Sequence, residues 1–127
     1  MIITKDLNIL EKDYDFTDSI VTKIDWDNNL LDLLIKVDYY WDIQEGYSES
    51  KLLIIRFKNC LNATFNMPST FNNISKEQIK GYINSWYTIT NFSIIKNNDN
   101  LSVSIKTMDN NPKWLTLECE EIYLETE

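Results

Sequence analysis

Apolar and polar residues alternate along much of the chain, in short runs separated by connections rich in Asn and Asp. Alternation with a period of two puts successive side chains on opposite faces, so each run predicts a half-buried β-strand. Asp18 to Trp26 sets Ile20, Ile24 and Trp26 against Ser19, Lys23 and Asp25. The Asp27-Asn28-Asn29 turn leads into Leu30 to Trp41, where Leu31, Leu33, Ile35, Val37, Tyr39 and Trp41 oppose Asp32, Lys36 and Asp38. Together these two runs read as a hairpin. Lys51 to Lys58 turns Leu53, Ile55 and Phe57 inward, and Leu52 and Ile54 make its other face apolar as well, the pattern of a central or partly covered strand. Leu61 to Met67 alternates again until Pro68, which lacks the N–H that ladder pairing needs.

The period changes at Ser75. Ser75 and Gln78 have capping-box spacing, Ile74 and Ile79 stand where a hydrophobic staple would, and Ile79, Tyr82, Ile83 and Trp86 recur at helical intervals. These signals predict one short helix over Ser75 to Asn84. Gly81 costs it about 1 kcal/mol relative to Ala, so the helix depends on packing against a sheet. Three more strands are expected, Trp86 to Lys96, Leu101 to Met108 and Trp114 to Leu124. Asn97-Asn98-Asp99-Asn100 and Asp109-Asn110-Asn111-Pro112 separate them as hairpin turns. The predicted fold is mainly β (α+β by count), about seven antiparallel strands in a meander barrel or sandwich with one short helix near residues 75–84. The 127 residues suffice for one hydrophobic core, so residues 1–127 are read as a single domain. Met1 to Phe16 mixes charges with single aliphatics, and no run is long and apolar enough to span a bilayer, so a cytoplasmic location is expected and no membrane partner.

Composition narrows the chemistry. A net charge of −8 argues against a nucleic-acid partner, because phosphate binding draws on clustered Lys and Arg, and favours a basic one. The absence of histidine removes Ser-His-Asp and Cys-His catalysis, His-ligated metals and the commonest general base near neutral pH. Gly46 and Gly81, the only glycines, cannot build a phosphate-cradling loop. Cys60 and Cys119 match no CxxC motif or disulfide framework and read as buried reduced thiols. No cofactor or metal is expected, and the chain does not read as an enzyme.

Two features remain as candidate binding surfaces. Asp38, Asp42, Glu45 and Glu49 lie among Tyr39, Tyr40, Trp41 and Tyr47. Their spacing fits neither an EF-hand nor a defined glycosidase pair, and they read as a rim around surface aromatics. Alternation puts Tyr40 on the face opposite Tyr39 and Trp41, so Tyr40 and Tyr47 are the surface candidates, whereas Trp26, Trp86 and Trp114 read as core. The second feature is a run of Glu118, Glu120, Glu121, Glu125 and Glu127 against Lys113, read either as charge blunting an exposed sheet edge or as an acidic strip facing a partner.

Three segments carry a family resemblance: Asp18-Ser19 opening a strand that ends Ile24-Asp25-Trp26, the close Val37-Asp38-Tyr39-Tyr40-Trp41, and Ile54-Ile55-Arg56-Phe57-Lys58-Asn59-Cys60. Over the first half of the chain the arrangement resembles small bacterial proteins grouped with the YxiG-like and immunity-protein families of polymorphic toxin systems. Those families carry a histidine before the Asp-Ser pair, where this chain has Phe16-Thr17. The resemblance implies a compact cytosolic protein that protects its cell by binding a toxin domain, often through an acidic surface. The expected function is therefore a non-enzymatic protein-binding module, immunity-like, that holds a basic partner through Asp38, Tyr40, Asp42, Glu45, Tyr47 and Glu49, with aromatic anchors for desolvation and carboxylates for steering. The alternative is a small-ligand carrier whose barrel keeps an apolar cavity lined by residues such as Phe57, Trp86 and Phe92.

Overall fold

The computed structural model describes residues 1–39, 51–66, 75–77, 86–108 and 113–126. Their elements run β1 (Ile2–Thr4), α1 (Leu7–Asp13), β2 (Ile20–Asp27), β3 (Asp32–Tyr39), β4 (Lys51–Lys58), β5 (Asn62–Phe65), β6 (Ile89–Asn97), β7 (Asn100–Thr107), β8 (Leu115–Cys119) and β9 (Glu121–Thr126). A five-stranded sheet has the order β1-β9-β4-β3-β2 and a four-stranded sheet the order β5-β8-β7-β6, with every pairing antiparallel. The fold is thus a mainly-β sandwich, one of the two arrangements the alternation left open, with nine strands among the described residues where about seven were expected. No described helix is long and apolar enough to cross a membrane.

The two sheets share strands. β4 and β9 pair in one sheet, and their continuations β5 and β8 pair in the other, so a single two-stranded ribbon bends from sheet to sheet. At the bend Glu120 N–H donates to Lys58 O (3.0 Å) and Leu61 N–H to Glu118 O (2.8 Å), so pairing continues through the corner. Asn59 takes the left-handed conformation there, with φ of 49°, which asparagine tolerates better than most residues. Opposite the bend, the edge strands β2 and β6 meet in a short seam at Ile20 and Thr88. Between the sheets lie Leu33, Ile35, Val37, Leu53, Ile55 and Phe57 from one side and Val103, Ile105, Leu115 and Leu117 from the other, all almost fully buried. Trp114 joins this core.

Four expectations need correction. First, the 114–124 run is two strands, because the buried positions switch from 115, 117 and 119 to 122 and 124 at the bend at Glu120. Second, β9 is not an edge: β1 pairs with its far side, so its glutamates do not guard an open ladder. Third, the first sixteen residues supply β1 and α1. The first is too short to show a period, and the second is capped by Asp6, whose Oδ1 accepts from Asn8 N–H (2.9 Å), with Leu10 as its single buried residue. Fourth, β2 carries a bulge between Val21 and Lys23, which moves Ile20 to the face opposite Ile24 and Trp26 and puts Val21 in the core. Ile24 and Trp26 do lie on the inner face, in register with Ile35 and Leu33, yet they are not covered there and remain 38% and 40% exposed. Most of the expected 75–84 helix, the 109–112 turn and the 40–50 segment lie outside the described residues.

This burial difference makes a direct prediction. Phe57→Ala should destabilise the protein by about 3–5 kcal/mol in urea denaturation, as a core aromatic does. Trp26→Ala should cost under about 1 kcal/mol, as at a surface position.

Candidate protein-binding site

The turn joining β2 to β3 begins and ends on an aspartate, Asp27 and Asp32. Both side chains face outward from the five-stranded sheet, as do Arg56 and Lys58 of β4, and cross-strand neighbours on one face lie within reach of one another. Arg56 Nη1 donates to Asp27 Oδ2 (3.0 Å) and to Asp32 Oδ2 (3.1 Å), while its Nε donates to Glu125 Oε2 (2.7 Å). Asp32 also accepts from Lys58 Nζ (3.0 Å) and from Asn59 N–H (3.1 Å). Its side chain is 1% exposed, so this carboxylate is tied to the backbone of the ribbon bend and to two cations without water.

The electrostatics follow from those contacts. Burial pushes the Asp32 carboxyl up, but the hydrogen bonds from Asn59, Lys58 and Arg56 outweigh it and hold the group below its ordinary value of 3.8. Asp27 is lowered chiefly by its hydrogen bond from Arg56, then by the Asn28 N–H. Arg56 is raised first of all by Glu125. Groups so held stay charged, which suits clamping and steering, whereas proton transfer near neutral pH needs a carboxyl raised toward that range. Both thiols are raised by burial, Cys119 to about 12, so neither is poised as a nucleophile.

Above this clamp the turn takes an uncommon course. Asn28, Asn29 and Leu30 have φ of 53°, 56° and 69° in succession. Asparagine tolerates this region, but a leucine there carries a cost of about 1 kcal/mol or more. The side chain gains little in return, since Leu30 is 73% exposed. The backbone is pinned by Leu31 N–H on Asn28 O (3.2 Å) and by Cys60 N–H on Leu31 O (2.7 Å), which seats the tip beside the ribbon bend. Leu61, the next residue of the bend, is 56% exposed, and Leu31 is 50% exposed. Trp26, Leu30, Leu31 and Leu61 therefore make an exposed apolar group at one end of the sandwich. Asp25, Asp27, Glu118 and Glu120 stand around it, all exposed, with Glu120 also accepting from Asn59 Nδ2 (2.9 Å). An exposed apolar cluster with a charged rim is the anatomy of a protein contact surface.

Of the residues expected to bind a partner, Asp38 lies on the outer face of β3, between Ile20 and Leu52 in register. Six residues of strand separate it from Asp32, about 20 Å at 3.3 Å per residue, so it belongs to the other end of the sheet. Tyr40, Asp42, Glu45, Tyr47 and Glu49 lie outside the described residues. Sequence reasoning missed the tip because it assigned Trp26 to the core. The available signal was the Asn-Asn pair followed by two leucines in a turn, where leucine has no local reason to be. Of the carrier residues, Phe57 is wholly buried, Trp86 is half-buried, and Phe92 lines an open surface groove.

No protein-family model matches the sequence, and no curated protein matches it. Among solved structures the chain is similar to an uncharacterized protein from Neisseria gonorrhoeae, at 16% identity and a TM-score of 0.56, over 89% of this chain and 95% of that one. A likeness at that identity is one of fold.

Two outcomes test the clamp. Arg56→Met strands the buried Asp32 charge with one cation fewer and should cost about 3 kcal/mol in chemical denaturation. Because the folded-state values of Asp27 and Asp32 lie below their unfolded ones, the unfolded chain takes up more protons in acid. Their contribution is complete above the ordinary value near 3.8 and disappears as the pH falls through the lowered values. Stability measured from pH 6 downward should fall in that acid window, about 4 and below, and Asp32→Asn should flatten the fall.

Proposed function

We propose that the protein is a non-enzymatic binding module for a basic protein and that the β2–β3 hairpin tip is its contact surface. The observation that carries this reading is the exposed Trp26, Leu30, Leu31 and Leu61 group, gathered about a strained turn whose ends are tied down by an ion cluster centred on the buried Asp32. Strain and exposure each cost stability, and a fold retains both where the turn serves contact. Along the hairpin and the ribbon bend that hold the tip, Asp25, Asp27, Asp32, Glu118, Glu120 and Glu121 outnumber Lys23, Arg56 and Lys58, six carboxylates to three cations. This local excess, with the net charge of −8, supports a partner of opposite sign. The immunity-protein resemblance supplies a class for that partner, a basic toxin domain. In this reading Trp26 and the leucines provide affinity by desolvation, and the rim carboxylates speed encounter and set orientation.

The test is an affinity capture from lysate of the native host, with wild-type and Trp26→Ala/Leu31→Ala baits compared at low salt. A stoichiometric basic protein on the wild-type bait, displaced by rising salt and weakened about 30-fold or more on the variant, is the expected result, since a central Trp contributes about 2 kcal/mol or more. Equal capture by both baits would remove the tip from the reading. Leu30→Gly separates function from folding: glycine relieves the positive φ and should raise stability by about 1 kcal/mol while weakening partner binding.

A further inference from the structure

β6 is the outer strand of the four-stranded sheet, and among the described residues only its start has a backbone partner on the far side. Asp18 N–H donates to Ile89 O (2.8 Å), Ile89 N–H to Ser19 O (2.8 Å) and Val21 N–H to Tyr87 O (2.9 Å). Beyond this seam the chain leading into β2 diverges from β6. A groove of about 780 Å³ opens between residues 11–17 on one side and residues 90–94 on the other.

The register says which backbone groups face outward along this edge, at the groove and just beyond it. Asn97 pairs with Asn100 across the two-residue turn Asn98-Asp99. A pair so close in sequence must exchange its own N–H and C=O bonds, because the wide alternative would require bonding between adjacent turn residues. Pairing then runs without a shift back to Asn91, so Asn91, Ser93 and Ile95 direct their backbone groups to β7. Phe92, Ile94 and Lys96 direct theirs the other way, and among the described residues no strand pairs with them there. An open row of this kind is a template for an added strand.

The surroundings select the strand. Phe92 and Ile94 are half-buried at the groove, and Phe92 packs on Phe16 with ring centroids 5.2 Å apart, followed by Tyr14, so the base is aromatic. The far wall exposes Glu11, Asp13 and Asp15 against Lys12. We propose that this groove takes an extended basic segment of a protein partner, which adds to β6 as a further antiparallel or parallel strand with Lys or Arg side chains against Glu11, Asp13 and Asp15. Main-chain bonds to Phe92, Ile94 and Lys96 supply affinity, and the alternating side chains supply selectivity. A second copy of this chain would bring the same carboxylates to its own image, and like charge opposes that pairing. The inference stands on the β6 edge and does not depend on the hairpin tip.

The experiment titrates isotope-labelled protein with a capped peptide of alternating Lys and Val while amide hydrogen exchange is followed by NMR. The amides of Phe92, Ile94 and Lys96 should slow by about tenfold or more at saturation, while those of Asn91, Ser93 and Ile95, already bonded to β7, should not change. N-methylation of all the lysines or all the valines of the peptide should abolish binding for one set and spare it for the other, since a strand turns every second N–H toward its neighbour. Glu11→Lys/Asp13→Lys should weaken binding about tenfold, and Trp26→Ala/Leu31→Ala should leave it intact. Unchanged exchange at the three amides, equal binding by both methylated peptides, or equal binding of an alternating Glu and Val peptide would overturn the proposal. So would protection of the same amides in peptide-free protein that rises with protein concentration, which would give the edge to a second copy.

Discussion

A carboxylate with no access to water and three hydrogen bonds from protein is the constraint around which one end of this molecule is arranged. Asp32 cannot be buried on the outer face of its sheet without partners, because the cost of stranding a buried charge exceeds what any single surface contact returns. Its partners come from distant parts of the chain: Arg56 and Lys58 from β4, and the Asn59 N–H from the bend. Holding Asp32 therefore fixes the hairpin turn against the corner of the ribbon, and Arg56 extends the hold to Asp27 and, across the sheet, to Glu125.

The consequence is a turn that keeps a shape its own residues do not prefer. Three successive positive φ angles, one of them on a leucine, persist because both ends of the turn are clamped and Cys60 bonds its last carbonyl. The backbone of the tip is thereby held in one arrangement, which under the proposed binding role lowers the entropy to be lost on association. The open edge of β6 is preorganised in a different way. There the ladder itself sets which amides face outward, and the seam at Ile89 sets where the open row starts. β2 runs from that seam to the tip, so one edge strand connects the two surfaces.

Much of the architecture was legible because alternation is local. Lys51 to Lys58 is a strand wherever it sits, and Leu33, Ile35 and Val37 had to share a buried face. The reading of Leu52 and Ile54 as marks of a central strand was sound for the same reason, and β4 lies between β3 and β9. What failed did so at places where period-two logic is interrupted: the bulge after Val21, which reassigns Ile20, and the bend at Glu120, which splits one predicted strand into two. A bulge adds one residue without changing composition, so a pattern of apolar positions cannot register it. The candidate site was less legible than the fold, because Trp26 alternates correctly and differs from a core residue only in what lies opposite it.

By itself the sequence determined the strand-rich class, the hairpins at Asp27-Asn28-Asn29 and at Asn98-Asp99, the inward faces of β3, β4 and β7, and the exclusion of histidine chemistry, all of which depend on residue type and nearest neighbours. Tertiary structure alone decided that β1 covers β9, that Arg56 meets Asp27, Asp32 and Glu125, that Trp26 stays exposed on an inward-facing position, and that among the described residues no strand pairs with the outer side of β6 beyond its start. These are matters of which surfaces come to face one another across sequence separations that run from 24 residues for Arg56 and Asp32 to 123 for Ile2 and Glu125. Exposure and ion pairing depend on that facing, and no local pattern encodes it.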